Sequence, residues 1–260
     1  MAELDSPERL SVFQGQVIAT DEDPVLQELV SKAADLAGAP LAAVTLVMGA
    51  IQYFRAGHGL PPELAKSRAT SREDSWCQFV VKDEAPFKVE SASTDARVPQ
   101  RVVETYGVQS YLGVPVTIDG QQAGSLCVFD VQPREFDEQL QERLEGLAAR
   151  ATERLNTLAQ ESRAERAEAK TEQALASARS LDFQARLLER AMSEIGPLVR
   201  IANALSQSEI SPEDAARGAS VLTEAGPVFE LLIEETRGLR TTSAQLVELL
   251  QAKDANEAPN

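Results

Sequence analysis

Cys77 is the side chain of this sequence with the clearest potential for chemistry. It lies in the stretch SWCQFVV (75–81) and follows Trp76, the only tryptophan of the chain. Ser75 and Gln78 have the spacing of a capping box, which predicts a helix that starts here with Cys77 in its first turn. Backbone amides at the start of a helix favour a thiolate and so lower the pKa of a thiol.

Four roles for Cys77 are compatible with this position: a nucleophile, an anchor for a chromophore, a redox switch, or a small apolar residue in the wall of a pocket. Thiol catalysis needs a base or a resolving thiol, and neither is visible in the sequence. Redox sensing needs only an exposed thiol of low pKa. The role of a small apolar residue in a pocket wall requires no neighbouring chemical group. We therefore expect this last role, in which Cys77 shapes a pocket.

Patterns for other kinds of catalysis are missing from the sequence. His58 is the only histidine and lies in RAGHGLPP, at a predicted strand end or solvated loop, so Ser-His-Asp or Cys-His catalysis would depend on it. The two cysteines, Cys77 and Cys127, form neither a disulfide framework nor a zinc motif with short ligand spacing. No P-loop, GxGxxG, HExxH or GxSxG pattern occurs. We therefore predict no metal, no cofactor and no enzymatic activity.

Composition narrows the range of partners. The chain has 260 residues and a formal net charge of −16, and both of its halves are acidic. Nucleic acids and anionic lipids bind Lys/Arg patches, so we expect no nucleic acid and no membrane partner. No apolar run approaches the ~18 residues that span a bilayer, and MAELDSPERL lacks the features of a signal peptide. The sequence therefore predicts a cytoplasmic protein with reduced thiols.

Up to about residue 135 the hydrophobic pattern is that of mixed helices and strands. Asp23 as N-cap, Pro24 in the first turn and Gly38 as the stop delimit one helix. Asp119-Gly120 predicts a two-residue turn between two strands. The predicted elements are a helix at 23–39, strands at 41–48 and 51–58 around a turn at Gly49, a polar loop, the SWCQFVV helix, a strand at 85–91, a helix at 98–106, and the strands SYLGVPVTI and QQAGSLCVFD. This order predicts an α+β domain of about 130 residues with a mostly antiparallel sheet.

Three segments of this region resemble the GAF domain, a small-molecule sensor module of bacterial signalling proteins. They are LAAVTLVMGAIQYFRAGHGLP, SWCQFVVKDEAPFKVESASTDARV and YLGVPVTIDGQQAGSLCVFDVQPREF. The last keeps the family's Y-x-G-x-P, D-G and G-S-L-C-V-x-D elements. The resemblance covers residues 23–150 and implies a GAF-like antiparallel sheet with flanking helices. It also implies a ligand pocket at the middle strands, walled partly by Phe54, Trp76, Cys77 and Tyr111.

The sequence departs from the ligand signatures of several GAF subfamilies. Cys77-Gln78 stands where phytochrome-type members have Cys-His, and the Asn-Lys-Phe-Asp-Glu signature of cyclic-nucleotide-binding members is not recognisable. Members that reduce free methionine sulfoxide use a set of cysteines at one mouth, whereas this chain has only Cys77 and Cys127. Aromatic walls with few charges predict a flat or apolar ligand rather than a bare phosphate.

From about residue 136 the pattern is helical throughout. Apolar residues spaced three and four apart predict a coiled-coil seam along a long helix at 136–207. The motif SEISPED then predicts a break, with a second helix that completes an antiparallel hairpin turning at Ser211-Pro212. Gly196-Pro197 and Gly226-Pro227 lie at matching distances from this turn and predict either tolerated bends or a shared kink. The seam residues predicted to mediate dimerisation are Ala174, Leu181, Leu188, Ile195, Leu222, Phe229, Leu239 and Leu246.

The predicted organisation is an α+β domain followed by an all-α coiled-coil and helical-hairpin region. Its parts are an N-terminal extension with a short helix (1–22), a GAF domain (23–150), a long signalling helix (136–207), the second helix of the hairpin (208–250) and a disordered tail (251–260). We predict a non-enzymatic sensor or adaptor that forms a homodimer through its helical C-terminus and regulates a protein partner in bacterial signal transduction.

Two alternative functions remain open. One is a thiol-based redox sensor or reductase that uses Cys77. The other is a docking scaffold related to histidine kinases, because SEIGPL resembles the phosphoacceptor helix of those enzymes but lacks the histidine.

Overall fold

The computed structural model describes residues 3–207 and, between 211 and 245, a discontinuous set of residues. The chain divides into two compact units, Met1–Glu165 and Arg166–Asn260. No helix in the part of the chain that the structure describes is long and apolar enough to cross a bilayer.

A six-stranded sheet forms the centre of the first unit. Its strands are β1 (Leu41–Val47), β2 (Ile51–His58), β3 (Ala69–Ser71), β4 (Phe87–Val89), β5 (Ser110–Ile118) and β6 (Gln121–Asp130). The strand order is β3-β2-β1-β6-β5-β4, and all neighbouring strands are antiparallel. The predicted α+β fold with a GAF-like antiparallel sheet is therefore confirmed.

Helices flank this sheet. They are α1 (Pro7–Leu10), a 3-10 turn (Gly15–Ile18), α2 (Pro24–Ala37), α3 (Pro62–Ser67), α4 (Cys77–Asp83), α5 (Arg101–Tyr106) and α6 (Glu138–Gln207). The predicted limits of α2 are confirmed. Asp23 accepts a hydrogen bond from the Leu26 amide at 2.9 Å, and Gly38 ends the helix with φ of 55°. The local signals are strong here because both caps are satisfied within the segment itself.

The predicted turn between the last two strands is also confirmed. Asp119 and Gly120 both have positive φ, 50° and 76°. A type I′ turn requires positive φ at both central residues, and its twist matches that of the two strands.

Two elements near the candidate site differ from the sequence prediction. Residues 62–71 form α3 and β3 rather than a polar loop, and β3 pairs with the edge of β2. The predicted strand at 85–91 and the predicted helix at 98–106 are shorter in the structure, as β4 and α5. Three-residue strands at the edge of a sheet leave almost no periodic signal, since they depend on the neighbouring strand.

The predicted capping box at Ser75 is wrong. Helix α4 starts at Cys77, and its N-cap residue, Trp76, makes no side-chain capping bond. The Ser75 hydroxyl instead donates to the Gln52 side chain on β2 and accepts from the Cys77 amide at 3.1 Å. The Gln78 side-chain amide donates to the Ser75 carbonyl at 2.9 Å, whereas in a capping box its oxygen would accept from the backbone N–H of the cap residue. A tertiary contact with β2 thus engages the hydroxyl that the box would use.

The two faces of the sheet bury different hydrophobic cores. One core contains α2 and the first part of α6, and the other contains α4. Alternation along the strands separates them, because successive residues point to opposite faces. In β6, for example, Leu126 and Val128 belong to the first core and Cys127 to the second.

Helix α6 contributes to the first core beyond residue 150. Its side chains Leu144, Leu155 and Leu158 are buried there. The Arg154 guanidinium also pairs with Asp23 at 2.8 Å, which joins α6 to the start of α2. The predicted domain end at residue 150 stays a prediction, but the packing of α6 on the sheet continues past it.

The long helix predicted at 136–207 exists as α6, with Pro197 in its interior. Ala174, Leu181 and Leu188 are half-buried, and the backbone at Ile195 is helical. Four predicted seam residues lie outside the described residues: Leu222, Phe229, Leu239 and Leu246. The predicted tail at 251–260 lies outside them as well. The coiled coil and the hairpin therefore stay predictions.

Candidate functional site

A cavity of about 320 Å³ lies on the α4 side of the sheet. All four predicted pocket residues line it, Phe54 from β2, Trp76 and Cys77 at the start of α4, and Tyr111 from β5. The structure thus brings together residues that are up to 57 positions apart, since 111 − 54 = 57. The rest of the wall is mainly apolar and includes Leu64, Val102, Val108 and Phe129.

The aromatic walls are held by contacts with each other and with the backbone. The rings of Trp76 and Tyr111 meet edge to face, with centroids 5.9 Å apart and planes at 81°. Phe87 packs against the other side of Tyr111 with a centroid distance of 6.3 Å. The Trp76 indole nitrogen donates to the Pro99 carbonyl at 3.3 Å. Both rings are buried, so the cavity has rigid aromatic sides.

Polar groups enter the cavity at a few points. The buried Gln52 and Ser75, which are bonded to each other, form one part of the wall. Another part of the wall contains Asp74 and Arg101, which form an ion pair at 3.6 Å; the Arg101 side chain there is 76% exposed. Sequence analysis missed these groups, because nothing in the local pattern shows that α5 and the segment before α4 face the same space.

The two cysteines meet in the wall of this cavity. Cys77 Sγ and Cys127 Sγ are 3.9 Å apart, and both residues line the cavity. Cys127 Sγ also donates to the Ala43 carbonyl of β1 at 3.5 Å. The sequence alone shows no resolving thiol for Cys77, whereas the structure places Cys127 beside it. A signal for it existed in the register of β6, since Cys127 lies on the face that carries α4.

Tyr111 lies across this thiol pair. Its hydroxyl donates to Cys77 Sγ at 3.3 Å and is 3.4 Å from the Ser125 hydroxyl. It can reach Cys77 because Gly113, two residues along β5, has no side chain. A Cβ on Gly113 would overlap the Tyr111 hydroxyl. Gly113 is also the cross-strand partner of Cys127, so the phenol passes next to both sulfur atoms.

The environment separates the acidities of the two thiols. Burial raises the pKa of Cys77, but hydrogen bonds from neighbouring side chains outweigh burial and lower that pKa to about 6; the neighbours are Cys127, Ser125, Thr45 and Tyr111. Burial and the Cys77 thiolate raise the pKa values of Cys127 and Tyr111 well above their usual values. Cys77 is therefore the more acidic thiol of the pair, and the Tyr111 hydroxyl donates to it.

His58 lies away from this cavity. It is the last residue of β2, is half-buried, and has its Nδ1 3.4 Å from the Ser31 hydroxyl. Within the described residues no group of three or more His, Cys, Asp or Glu side chains could hold a metal ion. The chemistry available at the cavity is therefore that of two thiols, a phenol and an aromatic binding surface.

Comparison with known proteins places the chain in a family. The model of the GAF domain family matches residues 21–155. A cyclic di-GMP phosphodiesterase of Pseudomonas aeruginosa is 32% identical over 115 residues, which are 43% of this chain and 19% of the relative. The chain thus spans about a fifth of the length of this curated relative.

Similar solved structures include two GAF domains and a reductase. The GAF domain of a phosphoenolpyruvate-protein phosphotransferase from Acinetobacter is 23% identical, with a TM-score of 0.44, and the match covers 61% of this chain and 97% of that one. The PixJ GAF domain of Thermosynechococcus elongatus is 18% identical, with a TM-score of 0.46 and coverages of 56% and 90%. A type II free methionine-R-sulfoxide reductase from Thermoplasma acidophilum is 13% identical, with a TM-score of 0.42 and coverages of 52% and 90%. Because the family model matches more than half of its residues, this chain belongs to the GAF domain family of signalling modules.

Proposed function

We propose that the GAF domain of this chain binds a small, flat or largely apolar molecule in its cavity. In this proposal the helical C-terminal region pairs two copies of the chain and transmits the bound state to a protein partner in signalling. The observation that carries the proposal is the cavity of about 320 Å³ between Phe54, Trp76 and Tyr111. Small-molecule sites are typically concave, mostly apolar and supplied with a few polar groups.

The polar groups of the cavity suit recognition of one end of such a molecule. Gln52 and Ser75 are buried and bonded to each other, so a ligand that meets them exchanges one polar contact for another. Asp74 and Arg101 offer one charge of each sign near solvent. A neutral or zwitterionic ligand with an apolar body fits this arrangement better than a highly charged one, because opposite charges at the rim compensate each other.

Two observations in the second unit support a helical hairpin within the chain, the element through which we propose that two copies pair. Ala174, Leu181 and Leu188 are seven positions apart and half-buried, as expected for one face of a coiled-coil helix. A Cβ on Gly238 would lie 2.8 Å from the Gln184 side-chain amide, so these two residues are close together. They stand at equal distances in the sequence on either side of Ser211, which agrees with a hairpin that turns there.

Ligand binding can be tested with the fluorescence of Trp76, the only tryptophan. We expect 8-anilinonaphthalene-1-sulfonate, a flat aromatic probe, to accept energy from Trp76 in a saturable titration, and inorganic phosphate not to compete. Val102→Phe should weaken binding, because Val102 lines the cavity. Glu104→Phe is the matched control, since Glu104 is exposed on the same helix, α5. Equal titrations for the two variants would contradict the cavity as the binding site.

Assembly can be tested by light scattering on the full chain. We expect a homodimer at micromolar concentration, and a single species of 28.1 kDa would contradict it. Native mass spectrometry of protein purified from its own host would then identify the ligand and any partner chain. The relative named as a cyclic di-GMP phosphodiesterase suggests that proteins of cyclic di-GMP signalling should be included among the partners examined.

A further inference from the structure

The two thiols lie in contact with each other in the wall of the cavity. The two sulfur atoms are 3.9 Å apart, and a disulfide needs about 2.05 Å. Closing this gap requires rotation of the two side chains next to the Tyr111 hydroxyl, which occupies the space over Gly113. The cross-strand partners of Cys127 are small, Ala43 on β1 and Gly113 on β5.

The same two sulfurs can be reached from the cavity. Cys77 and Cys127 both contribute to its wall, although both are shielded from bulk solvent, at 3% and 0% exposure. A small peroxide is little larger than water and enters a cavity of about 320 Å³. Both sulfur atoms are shielded from bulk solvent, so a reagent must enter the cavity to reach them.

We propose that Cys77 and Cys127 form a peroxide-reactive site in which Cys77 attacks a small hydroperoxide and Cys127 then closes an intrachain disulfide. In the first step an S–O bond forms at Cys77 and the O–O bond breaks. The Cys77 thiolate has already released its proton, so the leaving oxygen takes one proton from solvent and departs as an alcohol, or as water from hydrogen peroxide. In the second step Cys127 Sγ attacks the Cys77 sulfenic acid, and the hydroxide that leaves takes the Cys127 proton as water. Two thiols are thus oxidised by two electrons, and one peroxide is reduced.

The roles follow from the contacts around each sulfur. Cys77 receives the hydroxyl hydrogen bond of Tyr111, which stabilises a thiolate, and only the thiolate is a good nucleophile. The Cys127 thiol donates a hydrogen bond to the Ala43 carbonyl and keeps its proton until the second step. The pKa of the buried Cys127 is raised and that of Cys77 is lowered, which agrees with a reaction in which Cys77 attacks first.

Tyr111 is a positioning residue in this site. The titratable groups that face Cys77 are Cys127 on β6 and Tyr111 itself on β5. Tyr111→Phe keeps the ring in the wall and removes only the donor to Cys77 Sγ. We expect the pH profile of Cys77 oxidation to move to higher pH in this variant, because the thiolate loses a hydrogen bond. A loss of packing alone would not move the profile.

This inference does not depend on the identity of any bound ligand, so it can fail or succeed separately from the proposed sensor function. The test uses the full reduced chain and one equivalent of hydrogen peroxide at neutral pH. We expect the intact mass to fall by two hydrogen atoms, and peptide mapping without reductant to show a Cys77–Cys127 link. The folded chain should react about two- to threefold faster than the same chain in urea, because its higher thiolate fraction outweighs the lower nucleophilicity of a less basic thiolate.

Single variants separate the two steps. Cys127→Ser should stop at the sulfenic acid, which dimedone traps on Cys77, and Cys77→Ser should leave Cys127 unmodified. Folding of each variant is checked by circular dichroism, and the wild-type mass measurement stands even if a variant fails to fold. The proposal is overturned if the folded wild-type chain keeps both thiols, if the link forms between two chains, or if oxidation is no faster than in urea.

Discussion

Leu155→Ala should destabilise the GAF domain although it lies beyond the residue at which the sequence pattern predicts the domain to end. Leu155 is fully buried in α6 and belongs to the same core as the side chains of α2. Replacement of a fully buried leucine by alanine typically costs about 3 kcal/mol, from lost burial and the cavity left behind. With a urea m-value of about 2 kcal/mol/M, the unfolding midpoint should fall by about 1.5 M.

Trp76 fluorescence gives the assay, because this tryptophan lies buried in the domain and reports its unfolding. Leu175→Ala is the matched control on the same helix, since Leu175 is 53% exposed. It should change the unfolding free energy by less than about 0.5 kcal/mol. If the two variants had the same midpoint, the core of the domain would end before Leu155, as a boundary at residue 150 implies, and the packing argument would be refuted.

Three further predictions concern the caps, the sheet and the thiols. Asp23→Ala should lower the free energy of unfolding by about 2–3 kcal/mol in urea titrations, because it removes both the cap of α2 and the ion pair with Arg154. Asp23→Asn should lower it by less, since asparagine still caps α2 and loses only the ion pair. Equal losses for the two variants would contradict this. Gly124→Ala should lower the free energy of unfolding by about 1–3 kcal/mol or more in the same assay, because the added Cβ would overlap the backbone carbonyl of Thr45 on β1. An unchanged urea midpoint would contradict this prediction. Thiolate absorbance should rise through about pH 6 in the folded chain, and this step should vanish in Cys77→Ser. Because the folded pKa lies below the unfolded value of about 8.5, this thiol adds stability as pH rises between the two values and loses it as pH falls through the lower one. A step only near the unfolded value would contradict the lowered pKa.

Some features of this protein are decided by short segments and could be predicted from the sequence. The cap at Asp23 and the stop at Gly38 bound α2 as predicted, because each satisfies the ends of the helix with atoms a few residues away. The turn at Asp119-Gly120 sets the pairing of β5 with β6 for the same reason. Together with the family resemblance of these strands, such local signals were sufficient for the sheet. The four predicted pocket residues line one cavity, and their role in ligand binding stays a prediction.

Other features depend on which segments pack against each other, and only the tertiary structure decides them. Cys77 and Cys127 lie on a helix and a strand that are distant in the chain, and their sulfur contact requires α4 to pack on the face of β6 that carries Cys127. Ser75 has the spacing of a helix cap, yet α4 starts at Cys77, and the Ser75 hydroxyl donates to Gln52 on β2 while it accepts from the Cys77 amide. The packing of the whole domain brings Gln52 to this hydroxyl, and no local pattern records that contact.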